Sequence, residues 1–380
     1  MFGVALKMLF GDTAKYVGLI FGIAFATLLI SQQGGLFVGL MERTVSIIDD
    51  AQEADIWVMD PQTEYIDGAR PLRDTALFRV RAAPGVLWAV PLFKANASVQ
   101  TEDGRIETAL LVGVDNKTLI GLPRRFVAGD AEALDRPDAV AIDRAGFGQI
   151  WPGEPIRTGR VLELNDRRAV IAAVIDASAP FASTPVVYSR YANAVQYVPS
   201  GRNQLTFVLA RSEPGRDAAE VTEAITQQTG LRAHSRSDFR WVTISYYLAN
   251  TGIPLSFGVV IVLGVVVGVI VVGLTFNMFI SDNIKQYAAL KALGVANGLL
   301  VRMVLLQATV VGAIGFSVGI GFAAAFFQFA TRAAVDLRGF YLPWWVAAAT
   351  LALVVLIMLL ATFVGLRRVL VIDPAVVFRG

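Results

Sequence analysis

The chain has no cysteine, a single histidine (His234) and a formal net charge of only +2 in 380 residues. Without cysteine there is no disulfide, thiolate metal site or cysteine nucleophile, and either an oxidising or a reducing compartment is compatible. One histidine excludes a histidine-rich metal site, and the near-neutral balance gives no footprint for nucleic acid. No G-x-x-x-x-G-K-[ST] phosphate loop and no H-E-x-x-H occurs, so ATP is not bound here in the P-loop manner. His234 has Ser235, Ser237 and Asp238 as neighbours, but adjacency in sequence does not make a triad; a solvated or hydrogen-bonded histidine is the expectation. The chain is therefore expected to be no enzyme and to hold no cofactor or metal.

Charge is also nearly absent from four long apolar runs. Roughly 20 apolar residues cross the hydrocarbon core as a helix. Such runs occupy 16–40, 251–280, 301–330 and 343–366, in a chain of mean hydropathy +0.58 that is 55% hydrophobic. A proton- or ion-coupled carrier needs ionisable groups within its spans, so this bundle is not expected to carry an ion pathway. The small residues Ala24 and Ala26 fall inside the first run, too early for signal-peptide cleavage, and that run is expected to remain a span.

Between the first two runs lies a polar block, 41–250, long enough to bury a core of its own. Helical spacing of Leu36, Leu40, Val45 and Ile48 predicts that the first span continues as a stalk to Asp50. Strands are predicted at 55–59, 95–100, 105–114, 161–164, 169–175 and 205–210, with hairpin turns at Asp103-Gly104 and Asn165-Asp166. Helices are predicted at 73–82, 143–150 and 216–229, the last capped by Asp217 and ended by Gly230. The fold class is a membrane protein: four transmembrane helices plus a large α+β domain of two lobes, inserted between helices 1 and 2.

Lysine and arginine near the span ends set orientation. Lys7, Lys15, Lys285, Lys291, Arg302, Arg367, Arg368 and Arg379 fall on one side, and Arg332 and Arg338, in the short loop 331–342, on the other. Both termini are expected in the cytoplasm and the 41–250 domain outside it.

Three short segments carry the candidate function. Residues 1–15 read either as an interfacial amphipathic helix, with Phe2, Leu6, Leu9 and Phe10 on one face, or as a plain apolar leader. Gly264 and Gly268 form a G-x-x-x-G pair that favours close helix contact in lipid, within the chain or across a symmetric dimer. After the second span, 281–300 holds a short helix that Asp282 or Asn283 can cap and Gly294 can end. Ile284, Tyr287, Ala288, Leu290 and Leu293 give it an apolar side, with Lys285 and Lys291 beside them. It reads as a docking surface for a cytoplasmic partner or as a plain interfacial turn. The tail 367–380 predicts a second cytoplasmic helix, opened by Asp373 and Pro374, with Phe378 available to pack.

Ala288-Ala289-Leu290-Lys291-Ala292-Leu293-Gly294 resembles the coupling-helix segment of MacB/FtsX-type ABC permeases. Arg367-Arg368-Val369 followed by Ile372-Asp373-Pro374-Ala375 and Phe378-Arg379 resembles that family's ending, and the layout matches over the whole chain. Gly22 to Ala26, Asp55 to Pro61 and Pro84 to Leu92 are most similar to DevC-type export permeases. MacB proper carries a fused N-terminal ATPase that is not expected here, so the resemblance implies a separate ATP-binding subunit holding ATP and magnesium, docked on Asp282 to Gly294. It also implies a permease homodimer in the bacterial inner membrane, a periplasmic adaptor and possibly an outer-membrane channel. The expected function is the permease subunit of an exporter, passing ATP-driven motion to the outer domain and moving lipidic or amphiphilic cargo. FtsX-like gating of a periplasmic cell-wall hydrolase, or lipoprotein release, is the alternative.

Overall fold

The computed structural model describes residues 2–11, 13–101, 103–198, 204–333 and 337–371. In chain order these form α1 (Phe2–Gly11), α2 (Thr13–Arg43), α3 (Ser46–Asp50), β1 (Ile56–Met59), β2 (Leu72–Arg73), α4 (Thr75–Arg81), β3 (Val86–Gln100), β4 (Ile106–Val114), β5 (Phe126–Ala128), β6 (Ala139–Asp143), α5 (Arg144–Ile150), β7 (Val161–Leu164) and β8 (Arg167–Ile175). There follow β9 (Val186–Arg190), α6 (Tyr191–Tyr197), β10 (Gln204–Leu205), β11 (Phe207–Ser212), α7 (Ala218–Thr229), β12 (Arg232–Ser235), α8 (Arg236–Asn250), α9 (Ile253–Asp282), α10 (Ile284–Ala292), α11 (Asn297–Ala333) and α12 (Trp344–Val371). Two compact units result, one from Met1–Gly39 with Gly252–Gly380, the other from Leu40–Thr251.

The first unit is the helical bundle. Four helices among the described residues are long and apolar enough to cross a membrane: Lys15–Arg43, Ile253–Asp282, Asn297–Ala330 and Trp344–Phe363. Lipid leaves no water for backbone groups, and a helix satisfies them within itself. The bundle core holds Leu19, Ile23 and Ala26 of α2, Val272, Phe276 and Phe279 of α9, Met303, Val304 and Val311 of α11, and Val354 and Ile357 of α12.

Glycine lets these helices approach. A Cβ on Gly315 of α11 would stand 2.7 Å from Ile23 Cβ, and one on Gly319 would stand 2.5 Å from the Ala24 carbonyl and 2.6 Å from Thr27 Cβ. Only small residues permit backbones this near.

The second unit is the α+β domain. Its ten-stranded sheet runs β12-β1-β11-β3-β4-β9-β6-β8-β5, with β7 pairing both β3 and β8. Strand β3 serves both halves, pairing β11 through Val86 to Leu92 and Phe207, then β4 through Phe93 to Gln100. Pro91 falls in the half where β3 has only β11 beside it, a place that tolerates a missing N–H. Two separate cores match the two expected lobes. One gathers Ile56, Val58, Val80, Val208, Val221 and Ile225 under α4 and α7; the other gathers Phe93, Val99, Ile142, Phe147, Ile171 and Val187 under α5 and α6. Asn165 and Asp166 take φ of 46° and 61° in the β7–β8 turn. Asp217 accepts from Ala219 N at 3.1 Å to start α7, and Gly230, at φ 67°, ends it.

Two expectations are corrected. The stalk is not one helix: α2 stops at Arg43, Thr44 turns its hydroxyl onto the Met41 carbonyl at 2.6 Å, and α3 restarts at Ser46. The buried face of α1 is Ala5, Met8 and Leu9, while Phe10 is 48% exposed. This face joins the bundle core with α11, so contact with protein, not hydropathy alone, sets its rotation.

Candidate functional site

The segment joining α9 to α11 is built by caps. Asn283 stands at the N-cap position of α10, but its side chain makes no capping bond there; its Nδ2 reaches back to the Phe279 carbonyl at 2.8 Å and closes the end of α9. Asp282 is likewise not a cap, since its carboxylate pairs with Lys15 at the start of α2. α10 then ends in a full Schellman turn. Gly294 N donates to Lys291 O at 3.0 Å and Val295 N to Leu290 O at 3.1 Å, with Gly294 at φ 85°. Leu290 and Val295 both pack against the bundle core, the apolar contact that accompanies this motif.

The expected apolar side of α10 divides in two. Tyr287 and Ala288 are fully buried, and Ile284 and Leu290 pack on the core. Leu293 is 82% exposed, the most exposed large apolar side chain among the described residues, and Lys285 and Gln286 are exposed with it. Tyr287 is thereby removed from the outward surface. Its hydroxyl donates to Gln307 Oε1 at 2.8 Å, and Gln307 Nε2 donates to the Ala5 carbonyl at 2.8 Å. Burial pushes the Tyr287 phenol up to about 12. A cavity of about 580 Å³ lies between α1 and the α9–α10 corner, lined by Val4, Lys7, Met8, Asp282 and Gln286. Asp373, Pro374 and Phe378 lie outside the described residues.

The G-x-x-x-G pair of α9 is used within the chain. Gly264 faces Leu29 and Ile30 of α2; Gly268 faces Ala26 of α2 and Ile357 of α12. Both glycines are buried in their own bundle. A second pair, Gly315 and Gly319, escaped the sequence reading. Its letters Gly315-Phe316-Ser317-Val318-Gly319 also fit G-x-S-x-G, which needs a strand–turn–helix elbow. Here the segment is mid-helix, and Ser317 spends its hydroxyl on the Ala313 carbonyl at 2.8 Å.

In the α+β domain, Ser235 is the N-cap of α8, accepting from Asp238 N at 3.1 Å, so His234's neighbours serve a helix end. His234 pairs with Trp57 across the sheet and stacks on Phe239. Burial, then the charge of Arg232, lowers its pKa against a smaller pull from Asp238. A polar cavity of about 770 Å³ is lined by Asp50, Glu53, Arg124, Arg125, Asp176 and Arg211. Arg124 pairs with Glu53 at 2.7 Å and Arg125 with Asp176 at 3.3 Å. Burial raises the Asp50 pKa, opposed by bonds from Ser178 and Tyr188. Residues from such distant segments left no local signal in the sequence. Among the described residues no acidic or histidine cluster is arranged to hold a metal.

Two family models match this chain: a MacB-like periplasmic core domain over residues 17–228 and an FtsX-like permease C-terminal region over 258–374. The chain is 28% identical over 366 residues to an ABC transporter permease of Mycobacterium bovis, covering 94% of this chain and 93% of the relative. It is 25% identical over 370 residues to an ABC transporter permease of Mycobacterium tuberculosis, covering 96% and 93%. Among solved structures it is similar to the periplasmic region of MacB from Actinobacillus actinomycetemcomitans, with TM-score 0.39, 13% identity and coverage of 54% of this chain and 98% of that one. It is also similar to the extracellular domain of the noncanonic ABC-type transporter YknZ from Gram-positive bacteria, with TM-score 0.36, 11% identity and coverage of 48% and 98%.

Proposed function

Because the chain belongs to the MacB/FtsX-type family of ABC transporter permeases, we propose that a separate ATPase docks on the outward face of α10 and drives its α+β domain through the bundle. The family implies an ATPase partner, and ATP with magnesium belongs to that subunit. The observation that carries the docking site is the division of α10. Tyr287 is bonded inward to Gln307, while Leu293 stands 82% exposed beside a Schellman turn that fixes its position. An exposed leucine on a rigid corner is an interaction feature, and the motion of such a corner passes to α11 and α1 through the buried bonds.

The remaining parts of the reading follow from the same premise. The chain works as a homodimer in the bacterial inner membrane with both termini in the cytoplasm, supported by the basic residues at the span ends. The outer domain meets a periplasmic adaptor and an outer-membrane channel, as in DevC-type exporters, and the cargo is lipidic or amphiphilic. The dimer contact uses a face other than Gly264 and Gly268, since these are occupied within the chain.

The test is a mild-detergent pull-down of the tagged full chain from its native membrane, beside Leu293→Asp. The wild type brings down an ATP-binding subunit and a periplasmic adaptor; Leu293→Asp loses the ATPase while its own unfolding temperature is unchanged. Undiminished ATPase recovery with Leu293→Asp removes the docking assignment. A cell-wall hydrolase in place of the adaptor moves the function to signalling.

A further inference from the structure

A narrow groove runs between α11 and α12, bounded by Leu305, Gly312 and Ala313 on one side and Leu351, Met358 and Thr362 on the other, with a volume of about 210 Å³. It is apolar apart from hydroxyls, and one of these is anomalous. Thr27, Ser31, Thr275, Thr309, Ser317 and Thr350 each donate to the carbonyl four residues back. Thr362 is only 3% exposed, yet its Oγ1 has no hydrogen-bond partner among the described residues. A buried hydroxyl without a partner is unfavourable.

Position identifies what supplies it. Thr362 precedes Arg367 by about 7.5 Å of helix rise, and the headgroup layer on each side of a ~30 Å hydrocarbon core is about 5–8 Å thick. If Arg367 marks the headgroups, Thr362 lies at the depth of lipid ester carbonyls. From Thr362 to Leu351 the helix rises about 16 Å, half the ~30 Å core, so the groove extends through one leaflet. Spread over that length, the volume open to the centre of a water molecule is about 4 Å wide, which is about 7 Å between the walls. This takes one polymethylene chain and not a helix about 10 Å across.

We propose that this groove binds one acyl chain of a glycerophospholipid from the leaflet at the α10 end, with Thr362 Oγ1 donating to that chain's ester carbonyl. Arg367 and Arg368 follow in sequence, so an anionic headgroup is favoured there. The proposal needs only that α11 and α12 span a bilayer and stands apart from the docking of an ATPase on α10.

The full chain is reconstituted in phosphatidylethanolamine–phosphatidylglycerol vesicles doped with phosphatidylglycerol carrying a diazirine midway along one chain. After photolysis the adducts are mapped on peptides. Adducts concentrate on the groove segments of α11 and α12. Ala313 is exposed, so Ala313→Phe fills the groove without disturbing the core and reduces these adducts to the level of the outer face of α9. Thr362→Val keeps shape and fold and lowers labelling by the diester probe about two- to tenfold, but leaves labelling by the ether-linked analogue unchanged. Even labelling of all exposed helix faces, adducts unchanged in Ala313→Phe, crosslinks from the groove to a second chain, or equal diester labelling of Thr362→Val and wild type would each overturn it.

Discussion

Tyr287 of α10 donates its hydroxyl to Gln307 of α11 at 2.8 Å, and both side chains are fully buried. The same glutamine holds the Ala5 carbonyl of α1. Three elements far apart in sequence thus share one polar network inside the apolar core. Tyr287→Phe removes the donor and leaves a buried carbonyl oxygen unpaired, which costs about 1–3 kcal/mol. Tyr287→Phe with Gln307→Leu removes both partners and costs less than the sum of the single changes. Thermal unfolding of the four proteins in detergent measures this as a double-mutant cycle. Additive losses would mean that the two residues act independently.

The two G-x-x-x-G pairs differ in how tightly they are held. A Cβ at Gly264 would meet Ile30 at 3.4 Å, an ordinary contact, whereas one at Gly319 would press on the Ala24 carbonyl at 2.5 Å. Gly264→Ala is expected to be neutral or stabilising by up to ~1 kcal/mol through helix propensity. Gly319→Ala is expected to cost about 1–3 kcal/mol by overpacking against backbone. Unfolding temperatures of the two variants should therefore move apart, and equal values would contradict the α2–α11 contact.

As the chain's single histidine, His234 titrates without overlap in an imidazole NMR spectrum. Its pKa is lowered below 6.5, first by burial. A depressed histidine favours the neutral form when folded, so its contribution is complete above the unfolded value of about 6.5 and is lost as pH falls through the folded value. The unfolding temperature should drop on acidification below pH 6.5, and His234→Phe should shrink that drop. A midpoint at or above 6.5 would show that the imidazole is solvated.

Much of this architecture was legible because its causes are local. A bilayer demands a fixed apolar length, so the four runs declared themselves. The positive φ values of Asn165, Asp166, Gly230 and Gly294 fall at residues whose chemistry announces turns and helix ends. Helix α8 was missed although Phe239, Thr243 and Tyr247, buried in it, recur at helical spacing. Its threonine and aromatic residues have modest helix propensity, and packing decides. The inward turn of Tyr287 depends on Gln307, and the rotation of α1 on a residue 302 positions away. No local pattern encodes either.

The last prediction separates the fold of α10 from its surface. Leu290 and Leu293 look equivalent in sequence, yet Leu290 packs on the core at the Schellman turn and Leu293 is exposed. Leu290→Asp buries a charge and should unravel the end of α10; hydrogen exchange at Val295 N, which bonds the Leu290 carbonyl, should accelerate. Gly294→Ala, forced into the left-handed region at φ 85°, should do the same more mildly, at a cost of about 1–2 kcal/mol. Leu293→Asp should leave that exchange rate unchanged. If all three variants lose the ATPase but only the first two lose protection, the partner reads the leucine itself. If Leu293→Asp also loses protection, its effect on binding is a folding effect and the exposed corner is no longer the docking surface.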